Sequence, residues 1–468
     1  MGSTWRAAVA MEMAPQQSEV GVDSIGVTTE DPKPAQEPPL KLGKLPSFGC
    51  PKRAAELTPE WLTSALRFRK LLADDVSVTA VTHQPIGDGV MGDISAVTLT
   101  YSGETSAPPT LVAKFSPAGK APLPGILINA VFTAETHFYN DFTVASGGLL
   151  RPECYLALHD AKHSGIFKLL MGGMPRFLML LQDMRPASIF SKVQLRPTDQ
   201  IATLNDKDAL MGFMAGIARM HARWWGHKKG KPLQWCTHPS KDMGGLILRG
   251  FMHGAKTGLP ALKECYPDTY KPLHSWLPLL KRRHRFIVTE CLREPLTLTH
   301  GDAHIENAFF DKRFEPGGLA FIDFGNMMFS PGTSDIAFFM VHSLDVEVRR
   351  AHEEDCVKHY HEQLLANGVD GKEYPYERCW HDYRFNMWRA LLSVCMMGPG
   401  FKKQKRSNTG MWAPPESITD GDKKQKMIFE ELNRRVVAAL IDHKWDELLV
   451  EESGPPSCGL CSGISFCY

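Results

Sequence analysis

The sequence lacks an excess of either charge, a long apolar run and a secretion signal. Its 53 Lys and Arg residues nearly balance its 52 Asp and Glu residues, for a formal net charge of +1, so a nucleic-acid partner is not expected. No apolar stretch approaches the roughly 20 residues of a membrane span, and no apolar segment with a following cleavage site opens the chain. We therefore expect a cytoplasmic protein that does not span a membrane.

Disulfide and zinc frameworks are not indicated either. The 11 cysteines are odd in number and scattered over 468 residues, a usage typical of a reduced compartment. Cys458, Cys461 and Cys467 crowd the last residues, but a zinc site needs a fourth ligand and no His follows them. We interpret residues 451–468 as a flexible, Cys-containing tail.

The composition that is present fits a folded protein of two lobes. Hydrophobic residues make up 43% and charged residues 22% of the chain, and its length exceeds what one small core organises. Residues 1–55 are rich in Pro, Gln, Glu and Ser without a period, which predicts a disordered leader. Strand-like patterns fill 76–116, and the chain after about residue 185 is mainly helical. We predict an N-lobe at 56–183 and a C-lobe at 184–450.

The N-lobe pattern begins with a helix in "LTPEWLTSALRFRKLL". Thr58 is a residue type favoured at the N-cap, and Pro59 follows it in the first turn. Trp61, Leu62 and Leu66 recur at helical spacing as an apolar stripe, so the segment predicts an amphipathic helix.

Three glycines follow the first strand in "IGDGVMGDISAVTLTY", as Gly87-x-Gly89-x-x-Gly92. A dinucleotide-binding site would need a helix after the third glycine, whereas the residues after Gly92 are typical of a strand. A glycine loop between two strands is the kinase-type arrangement, which covers nucleotide phosphates. An ordinary glycine-rich hairpin remains the alternative.

A lysine and a glutamate follow at positions that suit the same site. Lys114 stands in the apolar strand "LVAKFS" after the next hairpin, where a kinase-like site needs a lysine on the α/β-phosphates. In the following helix Glu135 shares a stripe with Ile128 and Phe132, so we predict a Lys114–Glu135 ion pair. The alternative is that both side chains are solvated.

Polar residues cluster in "LTHGDAHIENAFFD", between two apolar stretches. Asp302 can accept the proton of an acceptor hydroxyl or orient it, and Asn307 can give Mg²⁺ a neutral oxygen. The apolar strand that ends at Ile322 leads into Asp323, which can supply an anionic metal ligand. Each residue alone has an ordinary alternative as a helix cap, a turn residue or a strand end, but their order along the chain favours a kinase-like site.

These motifs resemble those of a known group of enzymes. "HGDAHIEN", "IDFGN" and "SDIAFFM" resemble segments of the aminoglycoside-phosphotransferase and choline-kinase-like enzymes, and "GIARMHARWWG" at residues 216–226 is similar to a helix of their ecdysteroid-kinase-like branch. The resemblance covers about residues 80–345. It implies an α+β, bilobal protein-kinase-like fold with a small β-rich N-lobe and a large helical C-lobe. It also implies transfer of a phosphate from ATP, with Mg²⁺, to a hydroxyl of a small molecule.

The resemblance assigns roles to particular residues. Asp302 matches the catalytic Asp, Asn307 and Asp323 match the metal ligands, and Lys114 matches the phosphate-binding Lys. His300 matches a mainly structural His, and Asp335 matches an Asp that braces the catalytic loop from the next helix.

Two positions depart from the family pattern. The connector that holds adenine through its backbone, here Gln182 to Met184, usually carries an acidic pair, and Gln182 replaces its first member. This bears on the choice of nucleotide. His304 stands where the ecdysteroid-kinase-like branch often has an aromatic residue, which bears on the class of acceptor.

The acceptor class is only weakly indicated. A lipophilic or sterol-like alcohol is slightly favoured by the aromatic and apolar residues at 227–296 and in the later helices, among them Tyr383, Phe385 and Trp388. An amino sugar or choline would need acidic residues in the acceptor site, and "HEEDC" at 352–356 is the one acidic run there. An inactive kinase-like binding or scaffold protein is the alternative from another class. A protein kinase is less favoured, because Gly301 replaces the Arg of His-Arg-Asp.

Overall fold

Five antiparallel strands form the sheet of the N-lobe in the order β1-β2-β3-β5-β4. The computed structural model describes residues 46–86, 92–117, 125–142, 149–160, 176–184, 206–226, 233–238, 258–290, 292–310, 319–407 and 420–451. The strands are β1 (Val78–Pro85), β2 (Asp93–Tyr101), β3 (Thr110–Phe115), β4 (Cys154–Asp160) and β5 (Arg176–Gln182). Because β3 lies between β2 and β5, Lys114 pairs with Ile94 on one side and with Met179 on the other.

Alternation along β3 separates two faces of the sheet. Leu111, Ala113 and Phe115 lie in a core cluster with the apolar face of helix α1 (Pro59–Phe68), whereas Val112 packs against the larger core cluster that includes helix α2 (Gly125–Asp141). Successive side chains of a strand point to opposite faces, so Lys114 shares the α2 face with Val112.

The predicted start of α1 is confirmed. The side chain of Thr58 accepts a hydrogen bond from the amide of Trp61, and Pro59 occupies the first turn. This arrangement satisfies one of the amides that the first turn leaves without a helical partner.

Part of the segment assigned to the leader lies within the described residues. Residues 46–55, assigned above to the leader, are part of the described structure, with a 3₁₀ turn at Ala54–Glu56. The ring of Phe48 packs edge-on against Trp61 at 5.5 Å and Phe68 at 5.6 Å. The segment is anchored by isolated contacts rather than by a periodic stripe, so its pattern gave no sign of packing. Residues 1–45 and 452–468, and with them nearly all of the predicted leader and tail, lie outside the described residues.

Helices dominate the second lobe. They are α3 (Lys207–Arg223), α4 (258–265), α5 (Pro267–Tyr270), α6 (Leu277–Glu290), α7 (Thr333–Ser343), α8 (Val346–Ala366), α9 (Tyr376–Ser407), α10 (Asp420–Asp442) and α11 (Trp445–Glu451). Helix α7 is buried along its whole length and packs on α9, while α3 packs on α8. A helix that is buried on all sides lies in the centre of such a core.

Two short antiparallel strand pairs carry the polar cluster. Strand β6 (Thr297–Thr299) pairs with β9 (Met328–Ser330), and β7 (Ala308–Phe310) pairs with β8 (Leu319–Phe321). The apolar strand predicted before Asp323 is confirmed as β8. The strand pairs place Asp302 between β6 and β7, and Asp323 just after β8.

The chain thus has the α+β, bilobal architecture of the protein-kinase-like fold, with a small β-rich lobe and a large helical lobe. The two lobes meet where α2 contacts the 3₁₀ turn Phe324–Asn326 that follows Asp323. Within the described ranges, no helix combines the length and the apolar character that crossing a bilayer requires.

Candidate active site

Lys114 joins the two lobes through its ammonium group. Its Nζ lies 2.8 Å from each carboxylate oxygen of Glu135 and 3.0 Å from Oδ1 of Asp323. The side chains of Lys114 and Glu135 are 9% and 1% exposed, whereas that of Asp323 is 35% exposed. The predicted Lys114–Glu135 ion pair is confirmed, and the contact with Asp323 brings the metal-ligand candidate beside it.

Charge is unevenly distributed over these three groups. Burial disfavours the charge on Lys114, but the carboxylates of Asp323 and Glu135 outweigh burial and raise the pKa of Lys114. Burial also raises the pKa of Glu135, to about 7, although Lys114 opposes the rise. At Asp323 burial acts in the same direction, but Lys114 outweighs it and lowers the pKa. Lys114 and Asp323 are therefore charged at neutral pH, whereas Glu135 titrates near neutrality.

Aromatic stacking fixes the turn after Asp323 against α2. Phe324 stacks on Phe138 with ring centroids 4.0 Å apart, and the ring of His300 lies 5.1 Å from Phe324 on a tilted plane. Phe138 stands one turn beyond Glu135 in α2. The contact therefore holds Glu135 and Asp323 in one packed unit.

Asp335, at the start of α7, binds the backbone ahead of Asp302. Its Oδ2 accepts a hydrogen bond of 2.7 Å from the amide of His300, and its Oδ1 accepts one of 2.9 Å from the amide of Gly301. Burial alone would raise the pKa of Asp335, but the hydrogen bonds that it accepts from His221 and from the amide of Gly301 outweigh burial and lower the pKa. A buried carboxylate that accepts several N–H bonds is a fixed anchor for a loop.

Both ring nitrogens of His300 form hydrogen bonds with backbone groups. Its Nε2 donates to the carbonyl of Ile322 at 3.0 Å, and its Nδ1 accepts from the amide of Asp302 at 3.3 Å. Burial lowers the pKa of His300. The neutral imidazole connects the Asp302 loop to the strand that leads into Asp323.

The loop turns sharply at Gly301, where φ is +78°. A Cβ at this position would lie 2.0 Å from the backbone oxygen of Asn326. Only glycine combines that conformation with so close an approach.

Asp302 and Asn307 lie side by side after this turn. The amide nitrogen of Asn307 donates to the backbone carbonyl of Asp302 at 3.0 Å and lies 3.4 Å from Oδ2 of the same residue. It also lies 3.1 Å from Nε2 of His304, which accepts the bond. With its nitrogen engaged in this way, Asn307 has its amide oxygen left for a metal ion.

The donor set suits a hard cation. Asn307 offers a neutral oxygen, and Asp323 offers the carboxylate oxygen that does not bind Lys114. Mg²⁺ takes oxygen ligands and usually only one or two protein carboxylates, with phosphates and waters filling its shell. Among the described residues, no three His, Cys, Asp or Glu side chains converge as a metal cluster.

The predicted nucleotide-side residues are only partly brought together. Met184 is buried with Phe309 and Ala320, and Ile322 packs against them. The side-chain oxygen of Gln182 accepts from the amide of Glu153 at 3.1 Å, and the backbone amide of Gln182 donates to the carbonyl of Glu153 at 2.8 Å, so both groups are engaged by the residue just ahead of β4.

Of the three glycines, one can be placed. Gly87 and Gly89 lie outside the described residues. At Gly92 a Cβ would lie 2.5 Å from the backbone oxygen of Phe115. This glycine is therefore required by the close approach of β2 to β3, whatever else the loop does.

Sequence reasoning missed His221, which stands in the helix that carried the resemblance. It is fully buried, with Nε2 at 3.2 Å from Asp335 and Nδ1 at 2.9 Å from the hydroxyl of Tyr360. A polar ring inside an apolar helix face was the available signal. Its partner, however, lies 114 positions further along the chain, which no local pattern reveals.

Residues 259–369, which include Asp302, Asn307, Asp323 and Asp335, match the ecdysteroid kinase-like family. No curated protein sequence gives a significant match to the chain.

Three solved structures illustrate the wider structural similarity. Choline kinase from Cryptosporidium parvum Iowa II is 11% identical, with a TM-score of 0.47 over 84% of this chain and 100% of that chain. Ethanolamine kinase from Plasmodium vivax is 12% identical, with a TM-score of 0.45 over 81% and 87%. Wild-type aminoglycoside 2'-phosphotransferase-IIIa in its GDP complex is 15% identical, with a TM-score of 0.39 over 79% and 98%. For the segment that contains the Asp302 loop, the family match confirms the resemblance to the ecdysteroid kinase-like branch.

Proposed function

We propose that this chain is a small-molecule kinase that transfers the γ-phosphate of MgATP to a hydroxyl group. The observation that carries the proposal is the double contact of Lys114, which binds Glu135 at 2.8 Å and Asp323 at 3.0 Å. Phosphoryl transfer by a kinase-like site requires a lysine oriented by a helix carboxylate next to a metal-binding aspartate. These three residues come from a strand, a helix and a loop far apart in sequence.

In this proposal Lys114 contacts the α/β-phosphates, and Glu135 orients it. Asp323 and Asn307 hold Mg²⁺, which supplies positive charge next to the phosphates. The lowered pKa of Asp323 keeps this ligand ionised at neutral pH. Charge neutralisation and alignment are the main contributions that a protein makes to phosphoryl transfer.

Asp302 orients the acceptor hydroxyl and accepts its proton. Its side chain is 29% exposed, so an acceptor can reach it, while the backbone around it is held by Asp335 and His300. This support fixes the position of Asp302 without involving either group in the transfer.

The nucleotide base is proposed to rest on the connector. Met184 and Ile322 form part of an apolar cluster, a surface that suits a flat ring. Because the side-chain oxygen and the backbone amide of Gln182 are both bonded to Glu153, backbone groups further along the connector, toward Met184, would bind the base. Gly87 and Gly89 are proposed to cover the phosphates with Gly92 at the base of their loop.

For the acceptor we propose a lipophilic or sterol-like alcohol, with amino sugars and choline-type alcohols as the alternative. In the acidic run 352–356, Glu353 binds Arg349 and Asp355 binds Lys207, each at 2.7 Å. These carboxylates are therefore engaged within the helical lobe and do not support a polycationic acceptor.

The apolar residues named above support the lipophilic acceptor less than their number indicates. Tyr383, Phe385 and Trp388 are buried in the core, so they stabilise the lobe and do not line an acceptor pocket.

The proposal is tested with purified protein, MgATP and a fractionated metabolite extract, read by mass spectrometry for products that gain a phosphate. Parallel reactions contain a sterol alcohol, choline or an aminoglycoside, and a variant with Asp302→Ala is the control. We expect nucleotide-dependent phosphorylation of a hydroxyl that the control lacks. Absence of MgATP binding would refute the proposal and favour a kinase-like binding protein.

A further inference from the structure

We propose that Asn326 is a positioning residue that selects Oδ1 of Asp302 as the oxygen that accepts the acceptor's proton. The inference rests on the function proposed above. Its basis is the hydrogen bond from Nδ2 of Asn326 to Oδ2 of Asp302, at 3.3 Å. Neither the motif comparison nor the family match gives Asn326 a role.

The two oxygens of the Asp302 carboxylate have different surroundings. Oδ2 accepts a hydrogen bond from Nδ2 of Asn326 at 3.3 Å. The Asn307 nitrogen is 3.4 Å away, but its two hydrogens are directed at the Asp302 carbonyl and at His304. Oδ1 lies 3.8 Å from Nε2 of His304, beyond hydrogen-bond distance. An oxygen that already accepts N–H bonds has less capacity for a further proton. Oδ1 is therefore the oxygen that can receive one from the acceptor.

Asn326 is itself held rigidly against the Asp302 loop. It is the last residue of the 3₁₀ turn Phe324–Asn326, and its backbone oxygen is so near Gly301 that a Cβ there would lie 2.0 Å from it. Phe324, in the same turn, stacks on Phe138. A side chain on such a supported turn can fix the orientation of a neighbouring carboxylate with little conformational freedom of its own.

This contact links the two loops of the proposed reaction. Asp323 begins the turn as a metal-ligand candidate, and Asn326 ends it at the carboxylate of Asp302. In the transfer step, Oδ1 of Asp302 accepts the hydroxyl proton while the hydroxyl oxygen bonds to the γ-phosphorus of ATP. The bond from that phosphorus to the β,γ-bridging oxygen breaks, and its electron pair leaves on ADP. Asn326 sets the direction in which Oδ1 points.

The test uses Asn326→Ala, which removes the donor, and Asn326→Asp, which keeps the size but places a carboxylate against Oδ2. Asn367→Ala is the matched control, because the amide of Asn367 donates to the Gln363 carbonyl at the end of α8. Asp302→Ala, alone and combined with Asn326→Ala, completes a double-mutant cycle. Phosphate release from MgATP, with water as the acceptor, is measured in single turnover. MgATP affinity by calorimetry and the thermal midpoint are measured for each variant.

For Asn326→Ala we expect phosphate release to slow about 10- to 100-fold, as for other residues that orient a reacting group. MgATP affinity and the thermal midpoint should stay near the parental values, and Asn326→Asp should be slower still. In the Asp302→Ala background the second substitution should cost nothing further, because the role of Asn326 acts through Asp302. Asn367→Ala should release phosphate at the parental rate.

The possible failures are distinguishable. If Asp302→Ala is slow but Asn326→Ala keeps the parental rate, the role of Asn326 is wrong while the proposed function stands. An equal loss from Asn326→Ala in both backgrounds also overturns the role. If Asp302→Ala keeps the parental rate, the proposed function itself fails.

A crystal structure of Asn326→Ala decides the matter independently of activity. We expect the Asp302 carboxylate to rotate or to occupy two orientations. A single orientation identical to that of the parent would overturn the inference.

Discussion

Replacing Lys114 by Met should destabilise the protein more at alkaline than at acidic pH. Lys114 is 9% exposed and its partner Glu135 only 1%, so the substitution leaves a buried carboxylate without its cation. A buried charge that loses its partner either destabilises the fold or takes up a proton. Glu135 is able to take up a proton, since its pKa is already raised to about 7 by burial in the parent.

The direction of the pH effect follows from this raised pKa. In the folded protein Glu135 binds its proton more tightly than in the unfolded chain, where its ordinary value is 4.5. The contribution of Glu135 to stability is therefore fully present below about pH 4.5 and is lost as the pH rises through the folded value of about 7. Loss of Lys114 raises the folded pKa of Glu135 further, so in the variant the fall continues above about pH 7.

The size of the effect can be worked out from the same quantities. Up to about pH 7, Glu135 is protonated in the folded variant and lowers its free energy of unfolding little relative to the parent. Above it, the free energy of unfolding of the variant should drop relative to the parent by about 1.4 kcal/mol per pH unit. Near pH 9 the difference should approach about 3 kcal/mol, at the lower end of the roughly 3–5 kcal/mol typical of a broken buried pair.

Urea unfolding followed by tryptophan fluorescence, at about pH 6 and about pH 9, measures this difference. Lys207→Met is the matched control, because Lys207 also binds a carboxylate, at 2.7 Å from Asp355, but is 56% exposed. The control should change little at either pH, since exposed pairs contribute little to stability. Equal destabilisation by Lys114→Met at both pH values, or a larger effect at the acidic one, would refute the coupling between Lys114 and Glu135. Lys114→Met should also fail to bind MgATP at both pH values.

Two further outcomes follow from the fold. Removal of residues 1–45 should leave the thermal midpoint and the MgATP affinity unchanged. Removal through residue 57 should lower the midpoint, because it deletes Phe48 and its contact with Trp61. Equal midpoints would show that residues 46–57 do not stabilise the lobe. Gly301→Ala should abolish phosphate release, because its Cβ would lie 2.0 Å from the backbone oxygen of Asn326. Gly368→Ala, at φ +98° in open space, should cost only about 1 kcal/mol of stability. An active Gly301→Ala enzyme would contradict the tight packing of the Asp302 loop.

Local features of the N-lobe were predictable because their causes are local. Thr58 and Pro59 mark a helix start by their own chemistry. Strand alternation places Lys114 opposite the face of Leu111 and Ala113. Helical spacing places Glu135 on the inward side of α2, and the need of a kinase-like site for an oriented lysine then led to the predicted ion pair.

Features that depend on tertiary contacts were not predictable in the same way. The contact of His221 with Asp335 joins residues 114 positions apart, and the contact of Asn326 with Asp302 joins two loops that the pairing of β6 with β9 brings together. The role of Asp335 came from the resemblance, not from any spacing. Phe48 packs as a single aromatic side chain in a segment of disorder-like composition, which explains why its contacts could not be predicted from the pattern.

The central claim is that Asp302 acts on the acceptor while Asp323 acts on the metal. The roles of the two aspartates are distinguished most directly by titrating MgATP calorimetrically into Asp302→Asn and Asp323→Asn. Turnover of both variants is measured across a magnesium series. Asp302→Asn should bind MgATP like the parent but react about 10²–10⁴-fold more slowly. Asp323→Asn should bind Mg²⁺ and MgATP more weakly, and added magnesium should restore part of its rate. Rescue of Asp302→Asn by magnesium, or parental turnover in both variants, would contradict the account.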